Sequence, residues 1–320
     1  MSAPLAPVAA SSPTEAVRPV RFRHRLEYVA AAAVLKLLGW LPNRIARAFC
    51  SVLAALSYWF WPRLRQVGLF NLRLAFPGWT ERRRRQVVYR AFRNWGRMLA
   101  DFAHFPQWSR RKIESVITYD GLEHYTRARD QGKGVLFLTA HFGNWELSSF
   151  AHGVYGNPLH FAVRPMDNPL LNTLVIRYRA LSGGRPIEKN DFARQVLRAL
   201  KQGEAVGVLM DTNMLLSEGV FVDFFGTPAC TTSSPARLAR KTGAALVLGL
   251  VIWDAERKKY RLRFEPVEWI ERENPEEEIL ANTANFTRLI EDYIRRYPDQ
   301  WLWVHRRWKT RPPGEPPLYR

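Results

Sequence analysis

From residue 133 onward, short apolar runs alternate with amphipathic stretches, and this alternation constrains the fold more than any other feature of the chain. Residues 134–140 read GVLFLTA, a buried strand by composition, and 159–163, 205–210, 244–253 and 260–267 are further strand candidates. Between them, 145–155, 170–181, 192–202 and 234–242 carry helical spacing, and 275–297 predicts a closing helix. Parallel neighbours need a crossover, usually a helix, so the repetition predicts an α/β fold with a mostly parallel central sheet flanked by helices. No internal repeat is visible.

The strand at 134–140 runs directly into His141, and Gly143-Asn144 interrupts the chain before the next helix begins near Trp145. A polar residue where a strand ends and a helix starts is a common functional position in such sheets. Glu146 lies five residues beyond His141. On one continuous helix the two side chains would point about 140° apart. With the break at Gly143-Asn144, His141 can sit on the loop and Glu146 in the first helical turn. Their side chains can then meet, the carboxylate fixing the imidazole tautomer while the other ring nitrogen acts as a base. The helix start also offers backbone N–H groups to a developing oxyanion. By spacing alone the pattern is a weak signal, and a structural histidine is its commoner reading. No third His or Cys stands at metal-ligand spacing, so no metal is expected.

The amino-terminal part differs in character. Residues 1–114 hold 20 Lys and Arg against 5 Asp and Glu, so +15 of the net +19 lies there. Such a basic face favours polyanions: anionic lipid, nucleic acid or an acidic protein. Residues 28–41 and 46–61 are apolar, separated by Pro42-Asn43-Arg44, and each is shorter than the roughly 20 apolar residues a spanning helix needs. Arginines at 18, 21, 23 and 25 precede the first, and Trp59, Trp61, Arg63 and Arg65 end the second, as suits a membrane interface. The expectation is an apolar helical anchor at 18–65, lying in the bilayer surface or tilted through it once, with its basic flanks cytoplasmic. Two buried helices of a soluble fold are the alternative. A helix is expected at 80–102, with Thr80 as its cap and the arginines beside it, Arg82 to Arg85 above all, facing solvent or headgroups. Residues 1–17, rich in Ala, Pro and Ser, predict a disordered tail without a cleavable signal. Cys50 and Cys230 form no disulfide framework or metal spacing.

His141-Phe-Gly-Asn-Trp-Glu146 resembles the His-x4-Asp/Glu motif of glycerolipid acyltransferases and is similar to the form found in the bacterial lipid A biosynthesis lauroyl/myristoyl acyltransferase family, which includes mycobacterial phosphatidylinositol mannoside acyltransferases. Four further blocks resemble that family in order: Asn71-Leu-Arg-Leu-Ala-Phe-Pro77; Val163-Arg-Pro165 with Asn168 and Asn172; Asp211 with 219–232; and 300–312. The resemblance spans about residues 25–312. It implies a glycerolipid acyltransferase-like fold over 66–312, with a short tail at 313–320. It further implies transfer of a fatty acyl chain from acyl carrier protein or acyl-CoA to a membrane-lipid hydroxyl at the cytoplasmic face of the bacterial inner membrane, with lipid A precursor the first choice of acceptor and another glycolipid, a lysophospholipid or an aminolipid the alternatives. His141 is then the general base and Glu146 its orienting carboxylate, with Arg164 and Asp211 as supports. Asn144, Phe221, Phe224, Arg306 and Arg307 are the candidate substrate-binding residues, the two phenylalanines as walls of an acyl groove. The thioester is a co-substrate, so no cofactor is implied. His305 is a lesser candidate base. A basic membrane- or nucleic-acid-binding protein without catalysis is the reading of another class, though no nucleic-acid motif is present.

Overall fold

The computed structural model describes residues 19–163, 165–188 and 192–319; the expected tail at 1–17 and Arg164 lie outside the described residues. The amino-terminal part is helical: α1 (Phe22–Trp40), α2 (Asn43–Phe60), α3 (Pro62–Ala75), α4 (Glu81–His104) and α5 (Arg110–Val116). Thr80 caps α4, its hydroxyl accepting from Arg83 N at 3.3 Å. The chain then alternates: β1 (Ile117–Asp120), α6 (Leu122–Asp130), β2 (Val135–Thr139), α7 (Trp145–Val154), β3 (Leu159–Val163), α8 (Pro169–Ala180), β4 (Arg185–Glu188), α9 (Phe192–Lys201) and β5 (Ala205–Leu209). It closes with β6 (Gly219–Phe224), β7 (Thr227–Thr232), α10 (Ser234–Thr242), β8 (Ala245–Asp254), β9 (Lys259–Pro266) and α11 (Pro275–Arg296).

Among the described residues, seven strands form one sheet in the order β1-β9-β8-β2-β5-β3-β4. All neighbours are parallel except β8 and β9, which pair antiparallel. The alternation of side chains along a strand divides the core into two layers. Leu136, Leu138, Val206 and Val208 face one way, into a cluster with α9, α10 and α11, while Val135, Phe137 and Ala205 face the other, toward α6 and α7. The long helix α4 serves both layers: Val88 and Phe92 join the first, Ala100 and Phe102 the second.

Two edge strands, β1 (ITYD) and β4 (RPIE), carry little apolar signal and escape the sequence pattern. Pro186 is tolerated in β4 because that strand forms the sheet edge. Residues 219–224 pair back on 227–232 as a two-stranded hairpin. Phe225 (φ 58°) and Gly226 (φ 76°) both turn left-handed, as a tight two-residue hairpin loop requires. Phe225 N donates to Glu291 Oε2 at 2.7 Å, tying that turn to α11.

No helix among the described residues is long and apolar enough to cross a membrane, which corrects the expectation of a tilted span. Instead α1 and α2 lie against α4 and bury Leu35, Leu38, Ala46, Cys50 and Tyr58. The α2–α4 crossing is close: a Cβ on Gly96 would sit 2.2 Å from Cys50 O. The opposite faces stay exposed, with Phe22, Val29, Leu37 and Trp40 on α1, and Ile45, Phe49, Val52, Leu56, Trp59 and Phe60 on α2. Arg84 in the basic run is buried, donating to Phe76 O and Pro77 O, whereas Arg82, Arg83 and Arg85 are exposed.

Candidate active site

Strands β2 and β5 lie side by side with Thr139 opposite Leu209. His141 and Asp211 each follow two residues later, so the register delivers them to the same place at the carboxyl end of the sheet. The chain leaves β2 through α7 on one face and, after the β6–β7 hairpin, crosses from β5 to β8 through α10 on the other, so the connections diverge there, the place where open α/β sheets bind their ligands. Asp211 is buried, and its Oδ1 lies 2.9 Å from His141 Nδ1. Its Oδ2 accepts from His141 N at 2.9 Å and Trp301 Nε1 at 2.7 Å. An ionised carboxylate can only accept, so Nδ1 carries the proton and Nε2 the lone pair. Burial alone would lower the imidazole pKa, but the charge and hydrogen bond of Asp211 outweigh it and hold His141 above its ordinary value. Burial likewise opposes ionisation of Asp211, yet His141 and the Trp301 donor keep that carboxyl below its usual range.

The expected bond between His141 and Glu146 is not made; Asp211 occupies the imidazole's Nδ1 instead. Glu146 sits in the first turn of α7, where Arg179 near the end of α8 grips it with Nε to Oε2 at 2.8 Å and Nη2 to Oε1 at 2.5 Å. Trp145 Nε1 adds a donor to Oε1 at 3.2 Å, and its ring meets the His141 ring edge-on at 5.2 Å. The two carboxylates thus flank the histidine, one bonded to it and one fixed by an arginine.

The turn between them depends on Gly143, whose φ is +58°. Its N–H donates to Gln300 O at 2.7 Å, and it pairs with Val251 of β8. An added Cβ would stand 1.7 Å from Val251 O, a backbone atom that cannot swing aside. Gly143→Ala is therefore expected to cost about 3 kcal/mol or more, from left-handed strain and overpacking together. Urea denaturation measures this, and a loss under about 1 kcal/mol would contradict it.

The candidate substrate-binding residues are largely otherwise engaged. Asn144 is buried as the cap of α7, accepting from Leu147 N at 3.0 Å and donating to Asp101 Oδ2 at 3.0 Å, so its amide is spent inside the fold. Phe224 is not a groove wall: it is 1 % exposed and packs on Trp301 and Trp308, behind the indole that bonds Asp211. Phe221 is half-buried on β6. Arg307 is fully buried and donates to Cys230 O, Thr212 O and Thr231 Oγ1, which removes it from any headgroup. Arg306 remains half-exposed, its guanidinium 5.8 Å from the Tyr319 ring. His305 is pushed down to about 4 by burial, and its Nε2 accepts from Asn213 N, so that nitrogen is occupied. Asn71, in the first of the sequence blocks, donates to Trp303 O and His305 O and accepts from Tyr319, binding α3 to the carboxyl-terminal segment.

Arg179 and Trp301 were not singled out as partners of the site from the sequence. Arg179 carries no local signal, since its partner lies 33 positions away. For His141 and Asp211 the sequence shows only that each follows an apolar strand run; the register that joins them is tertiary. Among the described residues, no group of three His, Cys, Asp or Glu comes together to hold a metal ion.

The sequence profile described as bacterial lipid A biosynthesis acyltransferase matches residues 18–310. The chain belongs to this family. It is 31% identical over 288 residues to the lipid A biosynthesis palmitoleoyltransferase of Escherichia coli K12, covering 89% of this chain and 92% of that protein. The lipid A biosynthesis lauroyltransferase of the same organism matches at 31% over 287 residues, again 89% and 92%. The lipid A biosynthesis myristoyltransferase of that organism is 25% identical over 256 residues, 78% and 77% of the two chains. As a member the protein is an acyltransferase, which takes an acyl donor and a lipid acceptor.

Proposed function

We propose that the protein transfers a fatty acyl chain from an acyl thioester, on acyl carrier protein or coenzyme A, to a hydroxyl of a lipid A precursor. The observation that carries this reading is the His141–Asp211 pair in a member of that family: Nδ1 is held by a buried carboxylate, leaving Nε2 as a base at the mouth of the sheet. In the reaction Nε2 takes the proton of the acceptor hydroxyl as its oxygen attacks the thioester carbonyl. The C–S bond then breaks, and the imidazolium returns the proton to the departing thiolate. Asp211 stabilises the imidazolium. The Glu146–Arg179 pair keeps a second carboxylate charge beside the ring and fixes the start of α7. Arg164 retains the supporting role implied by the resemblance.

The exposed apolar faces of α1 and α2, flanked by Arg21, Arg23, Arg63 and Arg65, support a seat in the cytoplasmic leaflet of the inner membrane, parallel to its surface rather than through it. Incubation of the purified protein with acyl-carrier-protein or CoA thioesters and lipid acceptors, read by mass spectrometry, tests the reading. The expected product is one lipid class heavier by one acyl chain. Free acid without acylated lipid from either donor would replace transfer by hydrolysis.

The base must be neutral to work, and its pKa is raised, so kcat/KM should climb with pH through a value above the 6.5 of an ordinary imidazole. On the acid side activity should fall about tenfold per pH unit. An acid limb below that ordinary value would contradict the arrangement.

A further inference from the structure

Both helices of the exposed apolar face are joined by buried and partly buried hydrogen bonds to the helices that carry Glu146 and its arginine. From α2, Arg47 Nε reaches Asp101 Oδ1 at 2.6 Å, and Asn43 Nδ2 reaches the same oxygen at 3.2 Å. The other oxygen of Asp101 accepts from Tyr260 at 2.7 Å and from Asn144, the cap of α7. Asp101 is fully buried, so withdrawing Arg47 would strand its charge.

From α1 the link runs to α8. Asn168 Nδ2 donates to His24 O at 3.0 Å and to Glu27 Oε2 at 2.7 Å. The Oδ1 of the same side chain caps α8, accepting from Leu170 N and Leu171 N. No residue of α8 is fully buried, yet its last turn supplies Arg179 to Glu146. A helix with so little buried surface takes its position from its neighbours, here chiefly α1, with α7, the edge strand β4 and Phe102 of α4.

We propose that seating α1 and α2 on an anionic phospholipid bilayer sets the catalytic geometry through these two links, so that lipid contact activates the site, with Asn168 as the positioning residue of the α1 link. This rests on the interfacial acyltransferase reading above. The bilayer is the occupant because the face is broadly apolar and its surroundings are one-signed. Residues 18–65 hold nine Lys and Arg against one acid, Glu27, and that acid is the one bonded to Asn168. Apolar surface ringed by cations matches anionic lipid.

The two roles of Asn168 can be separated. Asn168→Asp keeps an oxygen to cap α8 but replaces the donor with a carboxylate facing Glu27 and His24 O. Glu27→Gln in the same chain supplies a donor and restores the bond. Two arms use the full-length protein with phosphatidylglycerol-containing vesicles. In the first, hydrogen exchange is followed without turnover, and vesicles should slow exchange in α8 of the wild type and not of Asn168→Asp. In the second, a short-chain water-soluble acceptor is used. Vesicles should raise wild-type kcat, and Asn168→Asp should lower vesicle-bound kcat about tenfold with KM and vesicle flotation unchanged. The added Glu27→Gln should recover it. No vesicle-dependent protection of α8, unchanged kcat in Asn168→Asp, kcat and flotation falling together, or no rescue would each overturn the proposal. The exchange arm needs no chemistry, so its result stands apart from failure of the acyltransferase reading, which an inactive wild type would reveal.

Discussion

Replacing Asp211 with Asn is expected to lower kcat by roughly 10³–10⁴-fold while leaving the protein folded. The argument lies in the partners of this carboxylate. One oxygen accepts from His141 N and Trp301 Nε1, both fixed donors, so the asparagine carbonyl must take that position. The amide NH2 then faces Nδ1, which becomes the acceptor, and the ring proton moves to Nε2. The base is thereby blocked without any loss of shape. Removing the charge also takes away the main cause that raises the imidazole pKa, leaving Glu146 alone to oppose the burial that lowers it. The acid limb of any residual activity should therefore move to lower pH. A variant retaining more than about a tenth of wild-type kcat would show that Asp211 does not set the tautomer.

Removing the imidazole with His141→Ala should cost about 10²–10⁴-fold in kcat, the range a positioned general base supplies. The backbone amide of residue 141 and Trp301 Nε1 still reach Asp211 Oδ2, so the carboxylate stays in place, but its Oδ1 loses the imidazole and the variant should fold with lowered stability. Thermal melting by circular dichroism should remain a single cooperative transition with a lowered midpoint, which shows that the loss of turnover is not a loss of fold. Turnover close to wild type in the folded variant would sink the mechanism. The two substitutions should not add, because each disables the same proton transfer.

The long buried elements were legible from pattern alone. The apolar runs at 134–140, 205–210 and 244–253 formed central strands, and the periodic stretch after Thr80 formed α4 with that residue as its cap. The edge strands were not, because a four-residue strand with one open side needs no apolar alternation. The seat of α1 and α2 was ambiguous for a related reason. One face of each is buried by the protein and the other is exposed and apolar, so both faces read as hydrophobic.

At the site, the sequence by itself determined that a histidine leaves a central strand, that a Gly-Asn break follows, and that a glutamate opens the next helix. Local chemistry dictates these features, since strand propensity, a left-handed glycine and a helix cap are properties of neighbouring residues. Which carboxylate holds the histidine was decided only by the tertiary structure. Asp211 arrives from 70 positions away because β5 pairs in register with β2, and Arg179 takes Glu146 because α8 lies across α7. Phe224 and Arg307, polar or bulky enough to suggest substrate contact, were likewise assigned to the interior by packing around Trp301 and the β6–β7 hairpin. Spacing along the chain fixes what can sit at a strand end; strand order and helix docking fix what it meets there.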